Sequence, residues 1–284
     1  MDRQKGQLLN QLDKLLPEGL VVDSAWLKRQ GYSTQLQHLY VMRGWLEQPT
    51  RGVFRRPRYE LSWQQVVISL QGILNYSPLV VGGRTALELQ GYAHYLPQAT
   101  TRVHLYGPKS PPYWLDKLPL TVKFVYHNDR RLFKNDPVAK GISSVRWNVE
   151  TGKMLDVTAF RGGDVTQLNW GQWDWPLTLS TPERAVFELL DELPNNESFE
   201  QVDALLGGLA NLRPDRLQKL LKDCASVKVK RLFFYFADRH NHAWLKRLNK
   251  EAVDLGHGKR MLVRGGVLDP TYHITVPGDL DGVR

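Results

Sequence analysis

Between Asp23 and Gly44 the chain carries a helix cap followed by a glycine stop, twice over, which leaves room for two short helices and a tight turn. Asp23 is suited to cap a helix over 23–30, because a short carboxylate accepts from the free backbone N–H groups of a first turn. Gly31 supplies the left-handed conformation that ends it. Ser33 caps the next helix, over 33–43, and Gly44 stops that one. Upstream, Leu8, Leu9, Leu12, Leu15 and Leu16 recur at helical spacing until Pro17 breaks the pattern. Downstream, Trp45-Leu46 and Val53-Phe54 are predicted to pair as two short strands, with Pro49, Thr50 and Gly52 in the turn.

Three short helices followed by a hairpin are the parts of a winged helix-turn-helix, expected here over residues 1–60. An α-helix fits the major groove of B-DNA, where side chains read base edges. On a helical wheel of 33–43, Leu36, Leu39 and Tyr40 share one side, and Thr34, Gln37, His38 and Val41 face the other. Thr34, Gln35, Gln37 and His38 are therefore the candidate base readers, glutamine being able to pair bidentately with adenine. Ser33, Arg43, Arg51, Arg55, Arg56 and Arg58 are the candidate phosphate contacts, with Pro57 holding the last part of that run extended. The competing reading is a structural or protein-binding three-helix piece whose arginines are merely solvated.

Charge supports a polyanionic partner. The net charge is +9, and its distribution is uneven. Residues 1–60 hold ten Lys/Arg against six Asp/Glu, and residues 213–264 hold fourteen against five, so the remainder is mildly acidic. Arg213, Arg216, Lys219 and Lys222 recur every three residues and predict a stripe on one helix; Lys228, Lys230, Arg231, Lys246, Arg247 and Lys250 extend the second basic region. DNA, RNA or an acidic protein surface would each suit it. No apolar run approaches the ~20 residues a membrane helix needs, and the N-terminus lacks a signal peptide's apolar core, so a cytoplasmic protein is expected. The single cysteine, Cys224, suits a reducing compartment.

Residues 61–284 read as a larger mixed domain. Strands are predicted at 78–82, 101–107 and 121–127, and a hairpin over 143–160 turning at Thr151-Gly152. Helices are predicted at 63–74, 85–89, 182–192, 198–208 and 214–223, and two closing strands within 259–277. Thr181-Pro182-Glu183 is a strong helix start. The expected fold class is α+β. Trp170, Trp173 and Trp175 read as a core or interdomain plug, or else as an exposed platform.

No catalytic motif stands out. VVGGRTALELQGY (80–92) has the strand, Gly-Gly and helix with which nucleotidyltransferases open, but no acid lies between Glu88 and Asp116 to hold magnesium. Asp238-Arg239-His240-Asn241-His242 lacks metal-ligand spacing and reads as a solvated basic turn. His94, His104, His127, His257 and His273 read as ordinary packed or surface histidines. No metal, cofactor or enzymatic activity is therefore expected.

The run GYSTQLQHLYVMRGWLEQPTRGVFRRP, with VVGGRTALELQGY and LSTPERAVFELLDELP farther on, resembles the AbiEi antitoxins of bacterial type IV toxin–antitoxin systems. The resemblance implies a protein that binds inverted repeats in its own promoter through the winged helix and represses the operon. It also implies a C-terminal domain that neutralises a nucleotidyltransferase-like toxin without a stable complex, in a chain that is monomeric in solution or dimerises on DNA. Two other readings remain: a ligand-responsive winged-helix transcription factor, and a nuclease or nucleotidyltransferase targeted by a DNA-binding domain.

Overall fold

A computed structural model describes residues 2–76, 78–92, 100–135, 147–148, 153–154, 164–278 and 280. The N-terminal part runs α1 (Asp2–Leu15), β1 (Val21–Asp23), α2 (Ser24–Arg29), α3 (Thr34–Met42), β2 (Glu47–Thr50) and β3 (Val53–Arg55). The caps lie where the sequence puts them. Asp23 Oδ1 accepts from Trp26 N at 2.7 Å, and Ser33 Oγ accepts from Leu36 N at 3.3 Å. β3 is the centre of a three-stranded sheet, antiparallel to β1 and β2. The result is a winged helix-turn-helix whose core is built on Leu12, Leu16, Val21, Trp26, Leu27, Tyr40 and Phe54.

Two details differ from the sequence reading. The first wing strand begins at Glu47, because the N–H groups of Trp45 and Leu46 both donate to Tyr40 O and close α3. The wing therefore turns on Arg51-Gly52, with Gly52 at φ 79°. β1 was not anticipated, since three residues are too few to show an alternating pattern.

The remainder contains α4 (Trp63–Gly72), β4 (Val80–Val81), α5 (Gly83–Leu89), β5 (Arg102–Gly107), β6 (Lys123–Asn128), β7 (Trp147–Asn148) and β8 (Lys153–Met154). It continues with β9 (Val165–Trp170), β10 (Trp175–Ser180), α6 (Pro182–Asp191), α7 (Phe199–Gly207), α8 (Pro214–Asp223), α9 (Val227–His240), β11 (Val267–Asp269) and β12 (Ile274–Val276). β4, β5, β6, β9 and β10 form a mixed sheet in the order β6-β5-β4-β10-β9. β5–β6 and β4–β10 are parallel, and the other two pairings are antiparallel. β7 and β8 pair through Trp147 and Met154, as the expected hairpin requires, but its turn at Thr151-Gly152 lies outside the described residues.

α4 joins the two parts. On one side Ser69 Oγ accepts from Val21 N of β1 at 2.9 Å. On the other, the Gln71 amide bonds Leu79 O, Thr178 O and Thr178 N at 2.8–3.0 Å, between β4 and β10. One continuous apolar core runs from Leu12 to Leu280.

The sequence reading missed α9 and took Asp238-Arg239-His240 for a solvated turn. These residues form the last turn of α9, which Asn241 ends in the left-handed conformation at φ 46°. Phe233, Phe234 and Phe236 are buried, with Phe187 of α6 stacked on Phe233 at 5.1 Å. Lys230 and Arg231 are buried on the same helix, so the polarity of the sequence does not mark its buried face. The tryptophan cluster divides: Trp175 is buried, whereas Trp173 at the β9–β10 turn is 57% exposed. Among the described residues no helix is long and apolar enough to cross a membrane.

Candidate nucleic-acid interface

α3 presents an uneven surface. Ser33, Thr34, Gln35, His38, Met42 and Arg43 are exposed, whereas Gln37 and Tyr40 are buried and Leu36 and Val41 half-buried. Positions 34, 35, 38 and 42 fall on one face, as residues spaced by three and four do on a helix. Thr34, Gln35 and His38 can donate to or accept from base edges; Met42, 85% exposed, adds a flexible apolar tip. Sequence reasoning missed Met42, because an apolar side chain on a helix reads by default as core.

Gln37 corrects the sequence reading. It is 1% exposed, with Oε1 accepting from Ser24 Oγ at 2.8 Å and Nε2 donating to Tyr32 O at 2.8 Å. Its amide locks α3 to the start of α2 and the intervening turn, and is not offered to bases.

The arginines divide likewise. Arg51 is exposed at the wing tip, and exposed Arg43 lies over the Trp45 ring at 5.3 Å. Arg55 is buried, with Nε donating to Glu47 at 2.7 Å across the wing. Arg56 bonds Asp13 and Glu18 at 3.1 and 3.2 Å, and Arg58 bonds Glu18 at 2.8 Å. Arg55 thus braces the wing from within, and Arg56 ties the chain after β3 to α1 and the loop that follows it. Arg58, with a side chain 64% exposed, keeps its outer surface in solvent. Between the wing, the start of α4 and residues 119–122 lies an open cleft of about 1170 Å³, lined by Glu47, Arg55 and Leu46 among others.

The second basic region is not one surface. Lys230 and Arg231 are buried. Arg231 donates to Leu255 O and Gly258 O at 2.7 Å and to His273 O at 3.3 Å, pinning the C-terminal loops to α9. Lys228 caps the end of α6 through Asp191 O and Leu193 O at 2.5 and 2.9 Å. Arg216 pairs with Glu183 and Lys219 with Asp164, each at 3.5 Å. Lys250 lies over Tyr272 at 4.4 Å and faces Asp238 at 3.8 Å. Arg213, Lys222, Lys246 and Arg247 are exposed.

The Gly82-Gly83 turn is closed from within. Glu188 of α6 accepts from Gly83 N at 2.9 Å, from Ser180 Oγ at 2.9 Å and from Arg184 Nε at 2.8 Å. Arg184 also reaches Asp129 at 3.2 Å, and all of these side chains are buried. A Cβ on Gly82 would run into the Glu188 carboxylate and the Tyr106 ring, so only glycine fits. Burial raises the Glu188 pKa, opposed by Arg184. A protein carboxylate thus fills the place where such a turn would cradle a phosphate. The inward positions of β5 facing it are His104 and Tyr106, which are not magnesium ligands of the carboxylate kind.

His104, His127 and Glu192 gather beside this turn, their donor atoms within 4.8 Å of one another. His240 and His242 do not form such a set: His240 bonds Asp203 at 2.8 Å, and His242 bonds Leu206 O at 2.8 Å.

Two family models match the chain. The one described as the N-terminal domain of the AbiEi antitoxin transcriptional regulator covers residues 5–98. The one described as a transcriptional regulator, AbiEi antitoxin of a type IV toxin–antitoxin system, covers residues 100–277. Among solved structures, the RV2827C protein from Mycobacterium tuberculosis is similar at 18% identity and a TM-score of 0.50, covering 95% of this chain and 89% of that one. At that identity the likeness concerns the fold. No curated protein is significantly similar in sequence.

Proposed function

Because the chain belongs to the AbiEi family of antitoxin transcriptional regulators from type IV toxin–antitoxin systems, we propose that it represses its own operon by docking α3 in the major groove of inverted repeats in the promoter. The observation that carries this reading is the open polar face of α3, where Thr34, Gln35, His38 and Met42 stand exposed on a helix braced from behind by Gln37. Ser33 and Arg43 flank that face, and Arg51 reaches out from the wing for phosphate or the minor groove. Arg58 is a secondary phosphate contact, its side chain 64% exposed and Glu18 still held by Arg56 if Arg58 turns to phosphate.

The C-terminal part would counteract a nucleotidyltransferase-like toxin without a stable complex. The Glu188-filled turn supports an antagonist in preference to a second nucleotidyltransferase, since a phosphate would have to displace a buried carboxylate held by three donors. The cleft beside the wing favours one further reading, a small molecule that binds against Glu47 and Arg55 and alters the wing.

Fluorescence anisotropy with the purified chain, on its own promoter fragment and on a scrambled duplex, tests the repressor reading. Promoter binding at least ~10³-fold tighter than scrambled binding is expected at fixed salt. Equal affinities would overturn it. Co-expression with the toxin gene of the same operon tests the second activity: growth is restored by the full chain, and failure to restore it removes that half.

A further inference from the structure

The five-stranded sheet has two edges, β6 and β9. In the register of β9 with β10, Gln167 stands opposite Thr178 and Asn169 opposite Pro176. Thr178 turns away from β9, its N–H donating to the Gln71 amide at 3.0 Å and its C=O accepting from it at 2.8 Å. Pro176 has no N–H to give. Thr181 N donates to Asp164 O at 3.0 Å, so by alternation the bonded positions of β9 are Thr166, Leu168 and Trp170. Gln167 and Asn169 therefore direct their own N–H and C=O outward, and among the described residues none of these groups has a hydrogen-bond partner.

An open strand edge is a template for another strand, which proteins blunt with charge or proline. β9 carries neither: it reads Val165-Thr166-Gln167-Leu168-Asn169-Trp170. The opposite edge, β6, begins with exposed Lys123. The entry to β9 is closed, Asp164 and Val165 being buried, which confines pairing to residues 166–170.

We propose that β9 pairs antiparallel with β9 of a second copy of this chain, with Leu168 meeting its counterpart on the two-fold axis. Gln167 then stands opposite the second copy's Asn169, and each such pair exchanges both of the backbone bonds that a single chain leaves open. Leu168 and Trp170, both half-buried, lie on one face of the sheet. There Leu168 packs on its counterpart and Trp170 on the second copy's Thr166. Because the stretch is uncharged, the two-fold brings no like charges together, and this self-complementary pattern favours a copy over a foreign strand. Trp173, 57% exposed at the adjoining turn, adds apolar surface at the end of the strand. Five residues a side bury far less than the roughly 1,200–2,000 Å² of a stable interface. The pair is accordingly weak in solution and forms where a second site concentrates the chains. Only that last step rests on the repressor reading: an inverted repeat shares the two-fold symmetry of the paired strands.

Disulfide trapping and sedimentation equilibrium of the full chain, without DNA, test the pairing. Under oxidation Leu168→Cys should cross-link, since facing residues of a non-hydrogen-bonded pair lie about 4.5 Å apart at Cα. Thr166→Cys, about 13 Å along the strand from its counterpart, should not. The wild-type chain, with Cys224 buried, sets the background. Sedimentation should show a reversible monomer–dimer equilibrium, weakened at least 10-fold by Leu168→Lys and restored when Leu168→Lys is mixed with Leu168→Glu. Asn169→Pro, at an exposed position that gives no bond to β10, should also weaken it and guards against a misfolded Leu168 variant. On a promoter duplex with two half-sites, the wild-type chain should bind with about 5-fold or greater cooperativity. Leu168→Lys should lose that cooperativity and keep its affinity for a single half-site. Absence of a dimer, equal trapping at 166 and 168, or unchanged cooperativity in Leu168→Lys would overturn the proposal. Absence of half-site binding by every variant would instead count against the repressor reading, and trapping and sedimentation would still decide the pairing.

Discussion

The two basic regions look alike in sequence and divide their charge differently between the fold and the solvent. At 33–58 the arginines nearest the body are paired with Glu47, Asp13 and Glu18, but the outer face of α3 and the wing tip keep polar groups in solvent. At 213–264 the excess is larger, yet Lys230 and Arg231 are buried and Lys228 and Arg231 bond backbone carbonyls, which leaves Arg213, Lys222, Lys246 and Arg247 in solvent without a shared face set by one helix. Net charge therefore misleads about address. What separates a binding face from a scaffold is which side chains remain unsatisfied by the protein's own groups.

Substitutions that exchange the roles of the two regions can break this comparison. The largest effect is expected from Arg231→Ala, which strips three carbonyls of a charged donor in a buried position. Charged hydrogen bonds contribute about 1.5–3 kcal/mol each and are not additive, so a loss on the order of 3 kcal/mol in urea unfolding is expected. Promoter affinity, measured where the variant is folded, should stay unchanged; a loss of binding at full stability would make this region an interface after all.

Gln37→Ala comes next, with a loss of about 1–3 kcal/mol from unsatisfied buried partners at Ser24 and Tyr32. Thermal unfolding reads it. Relaxed base preference at one operator position, with stability intact, would return Gln37 to the reading face. Gln35→Ala and His38→Ala should do the converse, each costing about 1–3 kcal/mol of discrimination between operator and mismatched duplex and leaving Tm within a degree or two. Arg51→Ala should weaken all duplexes alike and reduce the slope of log affinity against log salt by about 1. A steeper loss on the operator than on random DNA would move Arg51 from backbone to base contact.

The smallest effect concerns Cys224, buried beside α9, where desolvation pushes the thiol up to about 11. A disulfide reagent at pH 8 should leave the native chain unlabelled and react once it is unfolded. Fast native labelling would show that the basic region opens.

Much of the architecture was legible because local rules and the fold agree. Asp23, Gly31, Ser33 and Pro182 mark helix ends by chemistry that needs no tertiary partner. Burial was less legible wherever tertiary contacts override composition. Gln37 reads as a base contact because it is polar, and it is buried because Ser24 and Tyr32 supply its hydrogen bonds from α2 and the turn. Arg55 reads as a phosphate contact, and Glu47 faces it only once the wing strands pair. Met42 errs the other way, an apolar residue left outside. The meeting of His104, His127 and Glu192 has no sequence signature, since strand register and a helix end create it.

The hydrogen bond from Val21 to Ser69 has a mechanical consequence. The last turn of α4 is tied to the winged helix through Ser69 and, two residues on, to the sheet through Gln71, so the two parts are linked through one short stretch of helix. Under the proposed function, two such chains that meet through their larger parts on an inverted repeat could not easily reorient to follow a groove that has rotated away. The DNA would have to bring its half-sites into phase, a whole number of helical turns apart. Inserting half a turn, about five base pairs, between the repeats should therefore cost far more than inserting a full one.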